Sequence, residues 1–185
     1  RYDDAIVTYN KIPNGTALQN AIDIRKAFNL NSLEKTDEAK TLLEALAKAD
    51  PKDIRPLEAL GNIARARKNY PEAVSYFSRA IGLIAKPDQR HWSYYYARGT
   101  SYERMKNWPA AETDLKKAMQ LAPDQPLVLN YLGYSWIDQG INMKEGTKLI
   151  EKAVQLKPDD GYIVDSLGWA HYKQGNFKEA VRYLE

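Results

Sequence analysis

Histidine is the side chain whose type moves a proton most readily near neutral pH, and this sequence has two, His91 and His171. Either could serve catalysis if a nucleophile, a carboxylate or a metal stood beside it. Neither lies in a HExxH, GxSxG or Walker-type sequence, and a triad assembled from scattered Ser, Asp and His carries no weight without such a frame. No glycine run has the spacing of a phosphate cradle. His171 falls on the packing side of its helix and reads as structural, while His91 lies in a junction and reads as solvated. The tripeptide "NGT" at 14–16 has the form of a glycosylation acceptor, but after Pro13 it reads as a turn. The stretch "HWSYYYARGTSYERMKNW" at 91–108 mixes rings with Arg and Lys, as a base-stacking surface would. Tyr95 and Tyr102 fall at core positions within it, so nucleic acid is not expected. No catalytic residue, metal ligand or cofactor is expected either, and the chain reads as non-enzymatic.

Composition narrows the classes further. The 185 residues are 44% hydrophobic, with 27 basic and 24 acidic side chains and a net charge of +3. That balance does not favour a polyanion surface. The absence of Cys excludes disulfides, thiolate zinc sites and cysteine nucleophiles. No apolar run approaches the roughly 20 residues of a membrane span, and the start carries no secretory pattern.

The elements that would position any binding residue come from an internal repeat. "DSLGWAHYKQGNFKEAV" at 165–181 reads as helix, turn, helix, and it recurs as "NYLGYSWIDQGINMKEGT", "YARGTSYERMKNWPAAET" and "EALGNIARARKNYPEAVS". Each copy has a mid-helix glycine, at Gly61, Gly99, Gly133 and Gly168, although glycine there costs about 1 kcal/mol relative to alanine. A second small residue follows at Ala73, Ala111, Gly146 and Ala180, with Ala39 and Ala5 on the same lattice upstream. Two antiparallel helices can touch closely where neither has a bulky side chain, so each glycine is expected to face the small residue of its partner helix. Leu60, Phe77, Tyr102, Leu115, Leu132, Leu149, Leu167 and Leu184 are expected to fill the space around these contacts. Pro51, Pro87, Pro123 and Pro158 punctuate the junctions. Pro71 and Pro109 suit first turns, and Gly140 and Gly175 suit helix C-terminal ends.

This pattern resembles the tetratricopeptide repeat. Residues 92–123 carry it at Tyr95, Gly99, Tyr102, Ala111, Leu115, Ala118 and Pro123, and residues 54–87 at Leu57, Leu60, Gly61, Ala73, Phe77, Ala80 and Pro87. The resemblance implies an all-α, right-handed superhelical solenoid of about eleven helices paired antiparallel. The expected division is a half repeat at 1–13, a divergent repeat at 18–51, repeats at 54–87, 92–123 and 126–158, and a truncated one at 161–185. Both ends fall inside repeats, so the sequence reads as a fragment of a longer solenoid. Three departures stand out. Residues 18–51 have Lys26-Ala27 in place of Leu-Gly and a longer-looking turn at "NLNSLEKTDEA". "IGLIAKPDQRHW" has about four extra residues, expected to extend the helices. His171 stands where the family usually has Tyr.

The resemblance also implies a concave groove lined by the first helix of each pair. The family's groove positions fall on Arg55, Glu58 and Asn62; on Tyr96, Thr100 and Arg104; on Asn130, Tyr134 and Asp138; and on Asp165, Trp169, Tyr172 and Lys173. Large amphipathic side chains among them are of the kind that anchor partners. The family's clamp for a terminal carboxylate is not expected, because Glu58, Glu103, Asp138 and Asp165 share the surface with Asn62 and Asn130. The chain is therefore expected to be an interaction scaffold that binds a protein or peptide. The alternatives are a targeting region of a larger enzyme and a self-associating module. Repeats of this style resemble bacterial ones, which makes a cytoplasmic or envelope setting compatible.

Overall fold

The computed structural model describes residues 2–9 and 19–184. Its α-helices are α1 (Tyr2–Tyr9), α2 (Gln19–Ser32), α3 (Thr36–Ala49), α4 (Arg55–Ala66), α5 (Tyr70–Gly82), α6 (Trp92–Arg104), α7 (Trp108–Leu121), α8 (Pro126–Asp138), α9 (Met143–Leu156), α10 (Gly161–Lys173) and α11 (Phe177–Leu184). A 3₁₀ turn, Gln89–His91, leads into α6. The fold is all-α. The "NGT" turn at 14–16 lies outside the described residues. The chain divides into two compact units, residues 1–86 with 100–108, and residues 87–99 with 109–185.

In the first unit α2 pairs with α3 and α4 with α5. Ala27, Ala39, Leu43, Leu60, Phe77 and Ala80 are buried between the helices. A Cβ on Gly61 would sit 2.8 Å from the Phe77 ring. The glycine therefore makes room for a phenyl ring one turn beyond Ala73, and the expected Gly–Ala contact is not the closest one here. In the α2–α3 pair Ala27, fully buried, takes the glycine's place. The α2–α3 turn is not longer than the others. Helix α2 runs on to Ser32, and the link closes in three residues with Glu34 left-handed at φ 64°. Lys68 and Lys106 take the same conformation, both at φ 60°. Two acidic residues hold the outer faces of α3 and α5 together: Tyr76 donates to Glu44 at 3.0 Å, and Lys40 pairs with Glu72. Burial, then the bond to Glu44, pushes the Tyr76 hydroxyl up to about 12.

In the second unit Gly133 and Gly146 meet backbone to backbone. A Cβ on Gly133 would lie 2.6 Å from the Gly146 carbonyl oxygen. Gly99 lies over the Ala111 carbonyl and the Asp114 Cβ. Gly168 faces Leu184 rather than Ala180: a Cβ on it would lie 2.7 Å from the Leu184 Cγ. Gly140 and Gly175 are left-handed at φ 70° and 78°, as helix ends require. Beside Gly99, Arg98 forks onto the buried Asp114 carboxylate at 2.7 and 2.8 Å. Trp136 donates its indole N–H to Glu112 at 2.9 Å, and Lys116 bonds the same carboxylate.

The extra residues after α5 do not extend either helix. They form a loop and the 3₁₀ turn, whose geometry Asp88 dictates. Its carboxylate accepts the Arg90 backbone N–H at 2.9 Å and the Arg90 guanidinium, which holds the carboxyl down to about 2. The Asp88 backbone N–H donates to His91 Nδ1 at 3.0 Å. His91 is thus half-buried as a capping group and not solvated. His171 is half-buried as well, its ring stacked 5.6 Å from Tyr183.

Three expected outcomes follow from the backbone. Gly133→Ala forces a methyl against a carbonyl that cannot swing aside, and urea denaturation should show a loss of at least about 2 kcal/mol. Gly82→Ala, with nothing within 4 Å of the new atom, should instead raise stability by about 0.5 kcal/mol. Lys106→Gly relieves a left-handed lysine and should raise stability by up to about 1 kcal/mol, seen as a higher thermal midpoint; an unchanged or lower midpoint counts against the strain.

Candidate partner-binding surfaces

The first unit has a cleft of about 310 Å³ between α2 and α4. Its lining falls into four pairs, each 34 residues apart: Ala21 with Arg55, Ile24 with Glu58, Arg25 with Ala59, and Phe28 with Asn62. This is the same helix face repeated once. Ala21, Ile24 and Ala59 make an apolar floor, and Phe28 stands 40% exposed at its side. Arg25 is exposed. Arg55 is already engaged: its Nε and Nη2 reach the Asp53 carboxylate at 2.8 and 2.6 Å. That pairing holds the Asp53 carboxyl below its usual range. The structure therefore brings together Arg55, Glu58 and Asn62 as expected and adds Arg25 and Phe28. Those two were missed because 18–51 departs from the pattern. The 34-residue offset from Ala59 and Asn62 is the signal that finds them.

In the second unit the exposed side of α6, α8 and α10 carries rings. Trp92 packs 5.8 Å from Tyr96, and Tyr96 meets Tyr131 edge to face at 5.7 Å. Tyr134 and Trp169 are half-buried against the cluster of Ile137, Ile150, Leu167 and Ala170. Trp169 stacks on Tyr172 at 5.4 Å, and Lys173 lies 5.5 Å over Trp169 while donating to the Asp138 backbone carbonyl at 3.3 Å. Asp138 and Asp165 are exposed. Trp92 and Tyr131 were not among the expected residues. Trp92 is one helical turn before Tyr96, and Tyr131 is 35 residues after it.

Two expected groove residues are corrected. Thr100 is 5% exposed and Asn130 1% exposed, so neither presents a side chain to a partner. Helix α8 packs against both α9 and α10, which buries Val128, Leu129 and Asn130 in succession. Thr100 is buried between Gly99 and Ser101. Arg104 is exposed beside Glu103 at 3.6 Å. Among the described residues, no three His, Asp or Glu side chains are grouped to hold a metal ion, and no helix is long and apolar enough to cross a membrane.

The tetratricopeptide repeat profile matches residues 32–90, 92–125 and 163–185. A peptide N-acetylglucosaminyltransferase of Giardia intestinalis that uses UDP-N-acetylglucosamine is 30% identical over 132 residues. The match covers 66% of this chain, which spans only 9% of that protein's length. Among solved structures, MamA superposes with a TM-score of 0.73 at 22% identity, covering 85% of this chain and 90% of that one. YrrB, a tetratricopeptide repeat protein with an unusual peptide-binding site, superposes with a TM-score of 0.68 at 16% identity, covering 98% and 88%. Helix pairs, glycine contacts and the three matched segments agree: the chain belongs to the tetratricopeptide repeat family.

Proposed function

We propose that this array is a non-catalytic scaffold that holds a segment of another protein on the exposed faces of its first helices. Tetratricopeptide repeat proteins are protein-interaction scaffolds, and YrrB, of the same fold, has a peptide-binding site. The observation that carries the reading is the α2–α4 cleft, where four residue pairs on one repeated helix face combine an apolar floor with Arg25, Glu58 and Asn62. An apolar floor with a few polar groups at its rim is the usual make-up of a ligand site. In the second unit Tyr96, Tyr134, Trp169 and Tyr172 with Asp138, Asp165 and Lys173 offer a ring-lined, mixed-charge surface for the same purpose. A second reading is favoured by the match to the glycosyltransferase: the array positions substrates or partners for an enzyme, its own residues taking no part in the chemistry.

The test is affinity capture with this chain, followed by calorimetric titration of the captured segment. Phe28→Ala should weaken binding at least tenfold, as loss of an interface anchor does. Its ring is substantially exposed, so the melting midpoint should move little. Tyr134→Ala and Trp169→Ala should lower both affinity and stability, because both rings also pack the core. Full affinity in all three variants would sink the proposal.

A further inference from the structure

The lining of the α2–α4 cleft has a period as well as a composition. Counted from Ala21 on α2 and from Arg55 on α4, it recurs at i, i+3, i+4 and i+7 on both walls. That is the stripe by which one helix packs along another. Two such stripes side by side make a trough along the helices, and seven residues of helical rise give it a length of about 10 Å. Ala21 and Ala59 keep its floor low, and Ile24 and Phe28 add apolar surface. The walls offer little to an extended chain. Beyond the first turns of α2 and α4, backbone N–H and C=O groups bond within each helix. The main chain of an extended segment would have to find its partners among side chains. Arg55 is taken up by Asp53, and Arg25 and Asn62 are the lining groups with no partner among the described residues. Main-chain groups left over the alanines, Ile24 and Phe28 would be desolvated without a bond. A helix has those groups bonded internally before it arrives. The charges also have sides: Arg25 is exposed on the α2 wall, and Glu58 stands on the α4 wall.

We infer that this cleft takes an amphipathic α-helix of the partner protein, its apolar stripe seated between α2 and α4 and a carboxylate on the flank that meets Arg25. Helices are held in this way where an apolar groove receives residues spaced i, i+3, i+4 and i+7. The carboxylate belongs on the α2 flank, because on the other it would face Glu58. This rests on the reading that the array holds a polypeptide, and it fails separately from that reading.

The probe is a designed, stapled peptide of about 18 residues, beyond the length at which an isolated helix is marginal. It has leucines at i, i+4, i+7 and i+11 and glutamates along one flank. A second peptide differs by two central prolines, which prevent a helix. Titrated calorimetrically into the whole chain, the stapled peptide should bind saturably and the proline-bearing one at least tenfold more weakly. Arg25→Glu, at an exposed position, should weaken the glutamate-flanked peptide about threefold and tighten a lysine-flanked counterpart, with the melting midpoint unchanged. Ala21→Trp fills the floor of the cleft and should abolish binding. The helix is overturned if the proline-bearing peptide binds as tightly as the stapled one, if the stapled one binds the Ala21→Trp chain as well as the native chain, or if neither flank version responds to Arg25→Glu. In each of these cases the scaffold reading stands as long as the captured segment loses affinity on Phe28→Ala.

Discussion

Helix α8 can lie against α9 only because two residues lack a Cβ. At Gly133 that atom would come within 2.6 Å of the Gly146 carbonyl, and at Gly146 it would come within 2.9 Å of the Gly133 carbonyl. The helices touch through their backbones, and Ile137 and Ile150 close over the contact on either side. Backbone contact removes the slack that side chains would leave, so the pair behaves as one stiff element. The other pairs reach similar closeness by other means. Phe77 presses on Gly61, Leu184 on Gly168, and the Ala111 carbonyl and Asp114 on Gly99. The helix propensity lost at a mid-helix glycine is about 1 kcal/mol, and burial of one Phe or Leu side chain offsets it with an excess.

A helix pair cannot bury all its apolar surface alone, so first helices also pack on one another within each unit, α2 on α4 and α8 on α10. Helix α8 packs on α10, where Ile137 meets Leu167 and Ala170. On α10, Tyr172 stays 49% exposed. Equivalent positions then stand side by side at intervals of 34 or 35 residues, and what fills them decides the chemistry of the surface. Alanines at 21 and 59 leave a cleft between α2 and α4. In the second unit Tyr96 stands at the register of Glu58, and Tyr134 and Trp169 at that of Asn62, so rings replace polar groups there. One geometry yields two surfaces of different chemistry.

Polar interactions fix the details that packing leaves open. The Arg98–Asp114 fork is mostly buried, with side-chain exposures of 18% and 6%. Such a pair adds little net stability, but losing one partner strands a charge in the interior. It therefore pins the α6–α7 pairing beside the Gly99 contact. Trp136, Glu112 and Lys116 form a comparable tie between α7 and α8. The Glu112 carboxyl is held below its usual range by Lys116 and then by Trp136. The stability it contributes is present above the ordinary carboxylate range and is lost as the pH falls through it.

The spacing of Gly61, Gly99, Gly133 and Gly168 with Ala73, Ala111, Gly146 and Ala180 was enough to establish helix pairs, their number and their family. Local chemistry speaks for local structure: proline at first turns, glycine at left-handed ends, a period of 34 to 38 residues. Which residue meets each glycine was not legible, because Phe77 and Leu184 reach the contact from one turn away, and side-chain length decides that in three dimensions. The role of the extra residues before α6 was hidden for a like reason, since the bonds among Asp88, Arg90 and His91 form only once the turn closes. Thr100 and Asn130 occupy groove positions by register and are buried by their neighbours, whereas Arg25 and Phe28 sit in a segment with a weak pattern and reach the surface beside Ala59 and Asn62. Sequence determines which face of a helix a residue is on; whether that face is covered depends on how closely the adjacent helices stand, and only packing sets that distance.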